Sequence, residues 1–467
     1  MRLLTPLFVL VTSTVALAQP APPDWPRLED EILQHFQALV RLDTTDPPGG
    51  EAPAVEYLKQ VLEKEGIPVE IVVGANAKRP NLIARLKGSG RKRPLLVLGH
   101  TDTVNVDPSK WTFGPFSAAR DSGFVYGRGT VDDKDNVTAA LMLMLELKRL
   151  KVPLDRDVIF LAEAGEEGAS QLGVELVARE HFPAIDAEYC FAEGGNVARI
   201  GGAVKYASIQ TLEKLSMNVE ATARGTSGHA SVPLLDNAVA HLSAAVAAIA
   251  AWRPPIRLNE TTSAYFERLA SISTGEEAER YRSVLDPARA HAAVEYFLKN
   301  EPRHASMLHT SLSPTIIQGG YRSNVIPSEA KATINMRALP DENLSEFLDL
   351  MRKVVNDPAV ELALPVRGGR EKLADTRIDA EAFKAAEAAV KKHYGVITLP
   401  TMSTGATDMR TLRGKGMQCY GVGPALDLED GPKGFGSHSD QERIVESELY
   451  RFVRFHYDLV ADLAAAR

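Results

Sequence analysis

Leu95-Leu96-Val97-Leu98-Gly99-His100-Thr101-Asp102 is the stretch on which the fold turns, because an unbroken apolar run ends there on a histidine and an acid. A short continuous run of this kind reads as a strand buried on both faces of a sheet. The pattern returns at residues 158–162, followed by Glu163-Ala164-Gly165-Glu166-Glu167-Gly168, and at 189–192, followed by Glu193-Gly194-Gly195. Helical segments such as 136–150 separate the runs. Strand alternating with helix predicts an α/β fold, a mostly parallel sheet sandwiched by helices.

Upstream, Leu28, Ile32, Leu33, Phe36, Leu39 and Val40 recur at helical spacing across 28–42. A second helix, at 53–65, is closed by Gly66 and followed by a strand at 69–73. Downstream the alternation resumes only with a helix at 379–394 and a strand at 417–422. The interruption runs from Lys214 to Arg367 and opens with Leu215, Met217, Val219 and Ala221 alternating with polar residues. It also holds a helix at 238–251, a charged helical region at 274–300, an alternating strand at 330–337 and a helix at 342–356. We read it as an inserted α+β domain with a half-exposed antiparallel sheet. The expected division is a first catalytic part at 24–213, the insertion at 214–367 and a second catalytic part at 368–467.

The 467 residues are 45% hydrophobic and carry a net charge of −8, which suits a globular multidomain chain and excludes nucleic acid or an anionic lipid surface as partner. Residues 1–18 read as a secretory signal peptide: Arg2, an apolar run from Leu7 to Val11, and Ala16-Leu17-Ala18 before Gln19. The expected location is secreted or periplasmic, with no membrane association after cleavage. The two cysteines, Cys190 and Cys419, fall inside apolar runs and read as packed thiols.

Ligands in open α/β sheets bind beyond the carboxyl ends of the strands, where the histidines and acids of this chain recur. Asp102 stands two residues from His100, on the same side of an extended chain, where a carboxylate fixes the tautomer of a metal-bound imidazole. Gly127-Arg128-Gly129-Thr130-Val131-Asp132 is a glycine-punctuated turn leading into a helix, and Gly436-Ser437-His438-Ser439-Asp440 is a histidine loop after the last strand. Each string alone reads better as a solvated acidic helix start or a surface residue. Five of them on one sheet edge point instead to a metal site of His100, Asp132, Glu167, Glu193 and His438. Two histidines and three carboxylates without a thiolate suit zinc, with cobalt or manganese as substitutes. The odd carboxylate count points to one bridging a pair of ions, an arrangement suited to amide hydrolysis.

The ordered set His-x-Asp, Gly-x-Gly-x-x-Asp, Glu-Glu, Glu, Gly-His and a late His resembles the zinc exopeptidases that include aminoacylases, acetylornithine deacetylase, succinyl-diaminopimelate desuccinylase and glutamate carboxypeptidase. The resemblance implies two zinc ions per subunit: one on His100 and Glu193, one on Glu167 and His438, with Asp132 as the bridge and a cis Asp132-Asp133 peptide. It implies Glu166 as general base, Asp102 as the group orienting His100, and His229 in Gly225-Thr226-Ser227-Gly228-His229 as a donor to the oxyanion. Asn324 and Arg337 would hold the substrate's carbonyl or carboxylate, and Gly405 and Thr407, in Gly405-Ala406-Thr407-Asp408, would line the same site. It further implies that the insertion is a lid and a possible homodimer contact. The strings at 321–327 and 332–340 look most like the carboxypeptidase S and N-acyl-amino-acid hydrolase branch.

The expected activity is hydrolysis of an amide or peptide bond next to a free α-carboxylate, on a small peptide substrate. An N-acyl-amino-acid amidohydrolase is the alternative. A non-catalytic periplasmic binding protein keeping the fold is a second one, disfavoured because it has no use for Glu166 or His229.

Overall fold

The computed structural model describes residues 22–364 and 376–466. The signal-like segment 1–18 and the expected end of the insertion at Arg367 lie outside the described residues.

Side chains alternate sides along a strand, and the four apolar runs use both sides. Leu95, Val97, Val158, Phe160, Tyr189, Phe191 and Tyr420 enter one core, with the helices Trp25–Val40, Lys134–Arg149, Glu381–Tyr394 and Glu446–Ala464. Leu96, Leu98, Ile159, Leu161, Cys190 and Cys419 enter the other, against Val174–Glu180 and Met409–Gly414. Burial on both faces explains why these runs lack polar alternation. Each fully buried Leu, Ile or Phe stabilises the layer by roughly 1.5–3 kcal/mol.

Val158–Glu163, Leu95–His100, Tyr189–Ala192 and Gln418–Gly421 lie side by side and parallel at the centre of a 10-stranded sheet. The flanks differ from the simple parallel expectation. Val69–Val73 and Pro80–Leu86 add antiparallel strands at one end, and Ala203–Glu213 runs antiparallel to Gln418–Gly421 at the other. The sheet is therefore mixed, with a parallel centre. Cys190 and Cys419 are in register on neighbouring strands, both free and buried.

At Glu213 the chain leaves this sheet, and after Lys214 it begins a second, four-stranded antiparallel sheet. Its order is Ser311–Gly319, Glu329–Ala338, Leu215–Arg224, Val360–Ala363. Helices Ala238–Ala251 and Leu344–Val355 cover one face, taking up Val219, Ala221, Ile334 and Met336, while the intervening positions stay partly exposed. The charged helical stretch at 274–300 resolves into Gly275–Val284 and Ala290–Asn300, flanked by the helices Glu260–Ile272 and Pro302–Met307. Their core of Phe266, Tyr281 and Phe297 reaches Leu399 and Met402, on the main-sheet strand Thr398–Ser403. The insertion is thus rooted on the main sheet as well as on its own. No helix among the described residues is long and apolar enough to cross a membrane.

Candidate metal centre

Parallel strands bring their carboxyl ends to one edge, and the side chains singled out in the sequence meet there. His100 closes Leu95–His100, and Glu193 directly follows Tyr189–Ala192. The turn before the helix Lys134–Arg149 carries Asp132. Gly129, at φ +83°, lets that turn close: a Cβ there would lie 2.9 Å from Thr103. The Asp132–Asp133 peptide is cis. Asp133 is buried, accepting from the His100 amide at 3.1 Å and from Asn136 Nδ2 at 2.5 Å.

Asp132 is the centre of the cluster. Its Oδ1 lies 3.0 Å from His100 Nε2 and its Oδ2 3.0 Å from His438 Nε2, so one carboxylate faces two imidazoles. His438 Nε2 is also 3.1 Å from Glu167 Oε1. Donor atoms of His100, Asp132 and Glu167 all lie within 4.8 Å of one another, as do those of His100, Glu166 and Glu193. Asp102 holds the other side of the His100 ring, with Oδ1 3.4 Å from Nδ1. The same carboxylate accepts the amides of Glu166 and Glu167 at 3.2 and 3.1 Å, which fixes their loop against the histidine.

The electrostatics follow from crowding acids with few cations. Burial and the charges of Asp132 and Glu166 push Glu193 well above the usual carboxylate range. Burial together with Asp408, Glu167 and Asp132 pushes Glu166 up to about 8 against the pull of His100. Hydrogen bonds to Asp132 and Glu167 hold the His438 imidazole up at about 10. Burial opposes charge on His100, yet Asp102 and Asp132 outweigh it and hold that ring well above its ordinary value. Such a set of converging carboxylates and imidazoles, short of positive charge, is the donor chemistry that divalent cations satisfy.

Other candidates sit elsewhere. His229 is exposed on Gly228–His229, which pairs with Val325–Ile326, and its Nδ1 meets Ser231 Oγ at 2.7 Å. Asn324 is brought beside it, its carbonyl accepting the Ala230 amide at 3.0 Å. Arg337 donates from Nε to Asn335 Oδ1 at 3.0 Å, in register with Ser216 and Ser311. The Gly405 amide donates to Ser403 Oγ at 3.1 Å, and the Thr407 amide and hydroxyl both donate to the buried Glu213, each at 2.8 Å. No hydrogen bond or ion pair among the described residues joins these five to the ligand cluster.

Several supporting residues were not legible beforehand. Arg79, 4% exposed, donates to Glu51 at 2.7 Å and to Asp46 at 2.8 Å, lies 3.9 Å from Asp102, and packs beneath Gly165. Two residues on, Asn81 Oδ1 accepts the Ala164 amide at 3.0 Å, so one strand end grips the Glu166–Glu167 loop twice. Glu442 and Arg128 form a buried pair at 2.6 Å behind Asp132. Only proximity in sequence, Arg128 within the glycine turn and Glu442 four residues past His438, marked the last two.

A histidine and carboxylate cluster on the carboxyl edge of a helix-covered sheet defines a metal-dependent hydrolase. The chain belongs to peptidase family M20/M25/M40, whose profile matches residues 96–462. It is 28% identical over 382 residues to human "N-fatty-acyl-amino acid synthase/hydrolase PM20D1", covering 79% of this chain and 74% of that one. It is 26% identical over 420 residues to "Probable carboxypeptidase S-like 2" of Dictyostelium discoideum, covering 87% and 78%. Its fold matches the M20 family metallo-carboxypeptidase Sso-CP2 from Sulfolobus solfataricus with a TM-score of 0.65 at 20% identity, over 92% of this chain and 98% of that one.

Proposed function

We propose that this chain is a secreted di-zinc hydrolase that cleaves an amide or peptide bond next to a free α-carboxylate, in the manner of a carboxypeptidase or dipeptidase. The observation that carries the reading is Asp132, whose two oxygens face His100 and His438 at 3.0 Å each. His100 and Glu193 would hold one ion and Glu167 and His438 the other, with Asp132 shared. Bound zinc supplies Lewis acidity toward the substrate carbonyl and lowers the pKa of water.

The chain's own residues do the rest. Asp102 fixes the His100 ring through Nδ1. Glu166 takes the proton of the attacking water and hands it to the departing amine, a role worth about 10²–10⁴-fold in rate. His229 donates to the developing oxyanion. Among the described residues Arg337 has one of its N–H groups engaged, at Asn335, and the rest of its fork takes the substrate's carboxylate. Asn324, Gly405 and Thr407 line the approach. His229 faces solvent, and Ile316 and Ile317 stand 52% and 59% exposed on the strand Ser311–Gly319. These features support a homodimer through the inserted domain.

An N-acyl-amino-acid amidase is the second reading, favoured by the 28% identity to a protein named as an N-fatty-acyl-amino acid hydrolase. One panel separates the two: dipeptides, N-acyl amino acids and the C-terminal amide of each, assayed with zinc. Preference for dipeptides supports the first reading, preference for N-acyl amino acids the second. Equal turnover of the amides sinks the carboxylate requirement, and no turnover of any member leaves a binding protein.

A further inference from the structure

Two of the residues assigned above to the metals, Asp132 and His438, come from opposite ends of the chain, and a single side chain ties them together. Glu442, fully buried, accepts the Val131 amide on Oε1 at 2.9 Å and Arg128 Nη1 on Oε2 at 2.6 Å. Its own carbonyl accepts the Gly127 amide at 3.0 Å. Those three bonds span the turn that ends at Asp132. On its other side Glu442 is four residues from His438, and the base of that loop is pinned next door. Arg443 pairs with Asp430 at 2.8 Å and lies 3.9 Å from the rings of both Phe124 and Phe435. Gln441 adds a further tie, accepting the Thr112 amide at 3.1 Å.

His100 is mounted independently. The strand ladder to Val158–Glu163, Asp133 at its amide and Asp102 at its ring all hold it without Glu442. His438 is held differently: it is half exposed, at φ +62°, and among the described residues its ring meets Asp132 and Glu167 alone. Loss of the Glu442 tie should therefore loosen the His438 side first.

We infer that Glu442 is a positioning residue that sets the affinity of the metal site formed by His438 and Glu167, by fixing the His438 loop to the Asp132 turn. The inference rests on the di-zinc reading above. An ordinary buried ion pair with Arg128 would stabilise the fold without distinguishing the two sites.

The test compares Arg128→Met, which removes the cation but keeps the Val131–Glu442 bond, with Arg128→Met/Glu442→Met, which removes both side-chain bonds of the tie, keeps the Gly127–Glu442 backbone bond, and leaves no unpaired buried charge. Replacing such a pair by apolar residues is often tolerated by the fold. Zinc is titrated into the metal-free full-length chain against a competing chromogenic chelator. The expected result is two equivalents at wild-type affinity in the single variant. In the double variant one equivalent is weakened about 10–100-fold, the range for loss of a group supporting a metal ligand, and the other is unchanged. Equal affinities in both variants overturn the inference, as does a single variant weakened as much as the double. A wild-type chain that takes up fewer than two equivalents overturns the di-zinc reading itself, and this inference with it.

Discussion

Glu166→Gln decides between two roles that its position permits. Its donor atoms lie within 4.8 Å of those of His100 and Glu193, close enough to ligate, while its backbone amide is pinned at 3.2 Å to Asp102, which fixes the start of the side chain beside the cluster. In the metal-free chain, burial and the charges of Asp408, Glu167 and Asp132 push the Glu166 carboxyl up to about 8; bound divalent cations would draw it back down, toward a range in which the group takes and returns protons near neutrality. Glutamine keeps its size and its carbonyl oxygen but cannot carry the proton. The expected loss is therefore in kcat, about 10²–10⁴-fold, or about 2.7–5.4 kcal/mol at roughly 1.36 kcal/mol per decade. KM should stay within about threefold, since ground-state contacts are unchanged. Steady-state kinetics on the preferred substrate of the panel, with zinc content measured by elemental analysis after dialysis, gives both quantities. A variant that loses zinc and regains kcat in excess zinc shows a ligand instead of a base. A kcat near wild type refutes the role altogether.

Three further outcomes follow from the same geometry. Arg79→Met leaves the carboxylates of Glu51 and Asp46 without their shared partner, and should cost about 3–5 kcal/mol of stability; an unchanged urea midpoint contradicts this. Arg337→Ala should raise KM for carboxylate substrates by about 10–150-fold, the equivalent of roughly 1.5–3 kcal/mol for a charged hydrogen bond, and leave C-terminal amides unaffected. A uniform loss across both substrate types would remove Arg337 from the carboxylate site. In the metal-free chain, burial holds Asp133 and Glu442 up at about 7 and Glu166 at about 8, while Asp132 and Glu167 hold His438 at about 10. Each folded value is raised, so the folded state binds more protons and its extra stability is lost as pH rises through those values. The melting temperature of chelated protein should fall from about pH 5 to about pH 8, and zinc should flatten the decline; a rise over that range contradicts the assignment.

What could be read beforehand was set by the kind of signal each residue leaves. The strands at the sheet centre are legible because burial on both faces leaves unbroken apolar text, and the acids and histidines that follow them are legible because strand ends share an edge. Ala203–Glu213 was missed for the opposite reason: Gln210, Thr211 and Glu213 are polar yet buried, and break the apolar run. The strand at 69–73 is legible, but its antiparallel pairing with Pro80–Leu86, like the rooting of Phe266, Tyr281 and Phe297 on Leu399 and Met402, depends on long-range packing that no local period records. Arg79, Arg128 and Glu442 illustrate the same limit at the site. A charged residue in a sequence reads as solvent-facing by default, and only the fold reveals the buried partner that makes it tolerable.

The central claim, that hydrolysis depends on two ions held around Asp132, is tested most directly by removing and returning them. The purified chain is stripped with a chelator, zinc is added back in stoichiometric steps, and turnover is followed. Activity should vanish on stripping and recover in full as the second equivalent per chain is reached. Activity that survives stripping, or that recovers fully at one equivalent, contradicts the account.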